Sequence, residues 1–179
     1  MISCLQDEIQ EYSSFSKERL QLQSNQSPSK IITKVGTPQD KYYDAAITTV
    51  TAWFQMKGYK LSAELLTHNR ANKKRNSLYL PIYGSRVCES PLFGNLRKSS
   101  NRFGSSAFPN QGNTVERDLY YSIHRFNWSR TGSYVTITDT YDWSQDKSYT
   151  SIAGIAVNTM YAAQQRGILI PYKISITRN

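Results

Sequence analysis

The sequence predicts an α+β fold: an N-terminal helical hairpin packed on a small antiparallel β-sheet, with a C-terminal helix and strand. Three observations predict it. Apolar residues recur at helical spacing between 37 and 68; Tyr, Ile, Val and Thr concentrate between 117 and 141; and helical spacing returns at 149–166, before the β-rich ending ILIPYKISITRN. A chain of 179 residues is long enough for one compact domain, and 13 Tyr, 6 Phe and 3 Trp supply the apolar surface that a disordered chain lacks.

Residues 2–22 place Ile2, Leu5, Ile9, Tyr12 or Phe15 and Leu20 at helical spacing, with Asp7, Glu8 and Glu11 between them. The polar run SNQSPSK follows, so 1–30 reads as an N-terminal helix and linker and 31–179 as one α+β domain. Thr37-Pro38 opens the next helix, with Asp40 near the positive end of its dipole. Ala45, Ala46, Ile47, Val50, Trp53, Phe54 and Met56 form its apolar face, and Lys57-Gly58 ends it. Residues 62–68 form a second helix whose Leu61, Leu65 and Leu66 pack on the first.

From 77 to 114, a short apolar stretch, LYLPIYG, leads into a Ser/Gly/Asn/Arg-rich segment that reads as a long loop, either functional or partly disordered. Residues 117–128 and 133–141 read as two strands of an antiparallel hairpin, with SRTG as the turn. The last helix ends at Gly167, and Pro171 within the closing segment argues for an edge strand or a bulge. Cys4 and Cys88 lack metal-ligand spacing or a pairing pattern and read as structural thiols.

The net charge of +9 is local. Residues 57–102 carry ten cations (Lys57, Lys60, Arg70, Lys73, Lys74, Arg75, Arg86, Arg97, Lys98, Arg102) against Glu64 and Glu89, which leaves 8 of the 9 net charges in that segment. Lys73, Lys74, Arg75, Arg97 and Lys98 are therefore candidate phosphate or anion ligands, for nucleic acid or an anionic lipid surface; a solvated basic loop is the equal alternative. No apolar run approaches the ~18 residues of a membrane span. The acidic N-terminus MISCLQDEIQEYSS does not read as a signal peptide.

P-loop, GxGxxG, HExxH and GxSxG patterns are absent from the chain, which holds two histidines, His68 and His124. What remains is Asp139-Thr140-Tyr141-Asp142, where a strand runs into a loop. Two carboxylates three residues apart can converge to hold Mg²⁺ or share general acid/base work on a phosphate, with the Tyr141 hydroxyl orienting an oxygen. From spacing alone the structural reading is favoured, with Asp139 a turn or cap residue, Asp142 a helix-entry residue and Tyr141 a core ring. His124 could act as base and Arg125 as phosphate clamp. With the turn centred near Arg130, Tyr121 lies opposite Asp139 and Arg125 shares its face, whereas His124 points away; a slip of one residue reverses this.

The run SYVTITDTYDW, followed by a loop and the small-residue helix SIAGIAVNTM, resembles the catalytic region of the colicin M family of bacteriocins and the C-terminal domains of polymorphic bacterial toxins. The resemblance covers about residues 117–177. It implies a Mg²⁺-dependent enzyme that cuts a lipid-linked pyrophosphate peptidoglycan precursor at a membrane surface, with Asp139, Tyr141 and Asp142 as active-site residues and Asp139 and Asp142 on the metal. It also implies a cognate immunity protein and delivery to the target-cell envelope as part of a larger toxin. The family's His-Arg pair follows its motif, whereas this chain continues WSQDKSYTS and has His124-Arg125 upstream. The alternatives are a nuclease or nucleic-acid-binding toxin and a non-enzymatic interaction protein.

Overall fold

The computed structural model describes residues 38–145 and 152–179; the expected helix and linker at 1–30 lie outside the described residues. Helices α1 (Pro38–Met56) and α2 (Lys60–Ala71) lead into a two-residue strand β1 (Leu78–Tyr79), a 3-10 helix (Ile82–Glu89), α3 (Pro91–Lys98) and β2 (Phe103–Ala107). Then come α4 (Thr114–Ser122), β3 (Arg125–Thr131), β4 (Tyr134–Tyr141), α5 (Ile152–Gln165) and β5 (Tyr172–Arg178). The fold is α+β, and its five strands form one sheet in the order β1-β5-β4-β3-β2. The sheet is mixed rather than purely antiparallel, because β1 runs parallel to β5.

Several sequence expectations are corrected by local chemistry. Residues 114–122 form a helix, not a strand, because Asn113 and Glu116 make a reciprocal capping box: Asn113 Oδ1 accepts from the Val115 and Glu116 amides, and Glu116 accepts from the Asn113 amide. The cap outweighs the β-preference of Tyr120, Tyr121 and Ile123. The long loop expected at 77–114 contains the 3-10 helix, α3 and β2. There, Ser90 caps α3 with Pro91 at its first position, and Phe93 and Leu96 supply the buried stripe. The β-turn falls at Gly132-Ser133, on the last residue of SRTG and the one after it, so residues 129–131 remain in the strand and Arg130 pairs with Val135. Pro171 sits just before β5, where no ladder amide is required, and β5 lies between β1 and β4 rather than at an edge. Cys88 is exposed, not a core thiol.

Burial alternates along the central strands, so one sheet face packs and the other meets solvent. The covered face presents Phe126, Trp128, Val135, Ile137, Tyr141, Tyr172, Ile174 and Ile176 to Leu61 and Leu65 of α2, to Leu119 of α4 and to Val87, Phe93 and Leu96. A second cluster joins α1, α2 and α5 through Ile47, Val50, Phe54, Leu66, Met160 and Ala163. The open face carries Thr136, Thr138 and Thr140 of β4 beside Ser175 and Thr177 of β5 and Asn127 and Ser129 of β3. Gly84 lets the 3-10 helix rest on β5, since a Cβ there would lie 3.2 Å from the Ile176 side chain.

Asp118 ties the layers together. Its carboxylate is fully buried and accepts from the Leu61 and Ser62 amides and the Ser62 hydroxyl, while Arg86 Nε lies 2.7 Å from it. A residue of α4 thus caps α2 across 57 positions of sequence, a long-range form of the N-terminal capping that α2 lacks locally. No helix among the described residues is long and apolar enough to cross a membrane.

Candidate active site

The end of β4 brings together the two carboxylates that the sequence singled out. The β3–β4 register runs from Thr131–Tyr134 to Asn127–Thr138. Beyond it, residues 139–141 pair with β5 and residues 125–126 with β2, so Asp139 stands where the central ladder has ended. Strand alternation places Asp139 on the covered face between Ile137 and Tyr141, and it is half-buried there. Burial pushes its carboxyl up to about 7; the Thr140 amide, 2.7 Å away, pulls it down and the charge of Asp142 adds to the rise. Asp142 is exposed, and partial burial raises its carboxyl as well. Two like charges near one another, one of them half-desolvated, form a site that gains from a proton or a cation.

The other expected partners are placed elsewhere. Tyr141 is 5% exposed, with its ring against Trp143 and Tyr172. Burial drives its phenol far above the ordinary range, and the charge of Asp118 adds to the effect. It is a core residue, and its hydroxyl is buried. The turn at Gly132-Ser133 moves the register by an odd number of residues from one centred at Arg130, which inverts the face assignment. Tyr121 lies in α4 rather than opposite Asp139, and the last β3–β4 pair is Asn127–Thr138. Arg125, paired with Ala107, is exposed on the face opposite Asp139. His124 precedes β3 with a φ of 33°, its ring 4.6 Å from that of Tyr120. Burial and the charge of Arg125 lower its imidazole.

The candidate anion ligands separate into two groups. Lys73, Lys74 and Arg75 are exposed in the turn before β1, at the N-terminal end of β5, which is also the end where β4 delivers Asp142. Arg97 and Lys98 are exposed in the last turn of α3, ahead of β2 and near the opposite end of the sheet. They do not form one patch; the β1 and β2 edges are four strand spacings apart, roughly 19 Å.

A cleft of about 510 Å³ that the sequence reading missed lies between α2, β1 and the 3-10 helix, lined by Lys60, Glu64, His68, Tyr79 and Tyr83 among others. Glu64 accepts from Tyr79 Oη and from the Ile82 and Tyr83 amides, capping the 3-10 helix. His68 stacks on Tyr79 with ring centroids 3.7 Å apart, and burial lowers its imidazole against the pull of Glu64. Burial, with the Glu64 hydrogen bond, pushes the Tyr79 phenol up to about 12. The signal in the sequence was the i, i+4, i+8 spacing of Lys60, Glu64 and His68 on one helix face. Because Glu64 is used as a cap, the cleft reads as a structural joint. No protein-family model, curated protein or solved structure matches the chain significantly.

Proposed function

We propose that the protein is an antibacterial toxin domain that hydrolyses a lipid-linked pyrophosphate, with Asp139 as general acid/base and Asp142 as its charged neighbour. The observation that supports this is the half-buried Asp139 carboxyl, placed where the central ladder ends and pushed to about 7 beside a second carboxylate. A group titrating near neutral pH can both take and return a proton. The choice of lipid-linked pyrophosphate among phosphoric esters rests on the resemblance of 139–142 to the colicin M family. The carboxylate pair suits Mg²⁺, which binds through one or two carboxylates and completes its shell with water and substrate phosphates. Asp142, with Asp139 when it is ionised, would hold the ion, and it would neutralise charge on a pyrophosphate; with the ion bound, Asp139 would serve as a ligand rather than as the proton carrier. Tyr141 supports the site through the core.

Two experiments test this reading. Expression with periplasmic targeting should lyse bacteria, and Asp142→Asn and Asp139→Asn should each abolish killing while leaving the circular dichroism spectrum unchanged. Unchanged killing by either variant removes that residue from the assignment. A second reading, a toxin directed at nucleic acid, is favoured by the register that aligns Arg102, Arg130 and Arg178 across the far end of the sheet, next to exposed Phe103 and Tyr134. Arrest from cytoplasmic expression alone, with degraded nucleic acid, would select it.

A further inference from the structure

The chain exposes an apolar run where the edge strand β1 passes into the 3-10 helix. Leu78 is 64% exposed, Leu80 66%, Ile82 79% and Tyr83 44%, all within six consecutive residues. Exposed apolar side chains scattered singly need no explanation, but four within the six residues from β1 into the 3-10 helix are a concentration that water does not favour.

The flanks of this run are basic. Lys73, Lys74 and Arg75 precede it, and Lys173 of β5 pairs directly with Leu78. The turn that carries the three cations is firmly built. The Asn72 side chain donates to the Lys74 and Ile170 carbonyls and accepts from the Lys74 amide and the Ser77 hydroxyl, while the Asn76 amide donates to the Pro171 carbonyl. Of the neighbouring acids, Glu64 is occupied by three donors within the joint, and Glu89 lies at the far end of the 3-10 helix.

We propose that this edge, with Leu78, Leu80, Ile82 and Tyr83 as the apolar insertion and Lys73, Lys74, Arg75 and Lys173 as the charged collar, docks the protein on an anionic lipid bilayer. An apolar strip ringed by cations matches the interface of such a bilayer, where acyl chains lie beneath negative headgroups. The proposal deepens the lipid-linked substrate reading and rests on it for its biological purpose. The position is suitable. The basic turn and Asp142 occupy the same end of the sheet, and β1 and β4 are separated only by β5, about 10 Å from strand to strand. A protein seated on this edge would hold its carboxylate pair close to the headgroup layer.

The test uses the full chain and vesicles of phosphatidylcholine with or without phosphatidylglycerol, read by co-sedimentation. Binding should require phosphatidylglycerol and weaken at high salt. Leu80→Asp/Ile82→Asp and Lys73→Glu/Lys74→Glu should each reduce partitioning about tenfold or more, with melting temperatures unchanged because these side chains are exposed. Equal binding to phosphatidylcholine alone, or partitioning untouched by both double variants, overturns the proposal. So does a vesicle-independent dimer that either double variant dissolves, which would make the edge a self-association surface. The two readings fail separately. Asp139→Asn should retain vesicle binding whatever becomes of hydrolysis, and Leu80→Asp/Ile82→Asp should still cleave a water-soluble short-chain pyrophosphate ester if only docking is lost.

Discussion

Two carboxylates, Asp118 on α4 and Asp139 on β4, show how surroundings turn one side chain into two different objects. In both, burial pushes the carboxyl upward. Asp118 is answered by the Ser62 hydroxyl, the Ser62 and Leu61 amides and the Arg86 guanidinium, each of which favours the charged form. Asp139 has the Thr140 amide in its favour and the charge of Asp142 against it. A buried acid surrounded by donors is a structural joint, whereas a half-buried acid within electrostatic reach of another acid, with one amide donor, is a group that gains from a proton.

The comparison breaks most visibly at Asp118. Asp118→Ala leaves Arg86 and the N-terminus of α2 without their acceptor, and chemical denaturation should record a loss of about 3–5 kcal/mol. A loss under 1 kcal/mol would mean that the joint is not what holds α2 to α4. Asp139 should behave in the opposite way. A carboxyl raised in the folded state binds protons that the unfolded chain has already released, so this group weakens the fold as pH rises from about 4 to about 7 and adds no further change above that. The upper bound is about 4 kcal/mol, for a carboxyl moved from 3.8 to about 7 at about 1.4 kcal/mol per pH unit. Asp139→Asn should flatten that part of the stability profile, and a profile identical to that of the parent would contradict the burial of its charge.

Smaller changes sharpen the contrast. Ser62→Ala removes one donor of the Asp118 joint and should cost about 1–2 kcal/mol by the same denaturation measurement. Asn113→Ala deletes an exposed cap on α4 and should cost about 1 kcal/mol, read as a small drop in melting temperature. The order Asp118, then Ser62, then Asn113 should hold, because desolvation enlarges the penalty for a lost partner.

The same physics explains what could be read from the sequence and what could not. The boundaries of α1 followed from Pro38 and from Gly58, whose φ of 73° suits glycine. The β4 strand was legible because VTIT alternates in a half-buried pattern. The α4 helix was misread because a two-sided cap at 113–116 outweighs the β-preferences downstream. Asp139 and Asp142 were found by spacing and do lie within electrostatic reach of each other. Tyr141, between them in sequence, faces the core, and Arg125 points to the far side of the sheet. The hairpin register decided that: a turn centred between residues 132 and 133 instead of at 130 shifts the pairing by an odd number of residues and inverts the face. Glu64 escaped notice because its three donors come from residues 79–83, a segment that has no helical or strand periodicity of its own.

The sequence by itself determined the α+β class, the carboxylate pair at the end of a strand and the local origin of the positive charge, since all three follow from residue type and short-range spacing. Tertiary structure alone decided which carboxylate is answered by donors, which face Arg125 occupies and how the cations divide between the two ends of the sheet. Those depend on the strand order β1-β5-β4-β3-β2, which sets residues far apart in sequence side by side and separates others that are near neighbours along the chain.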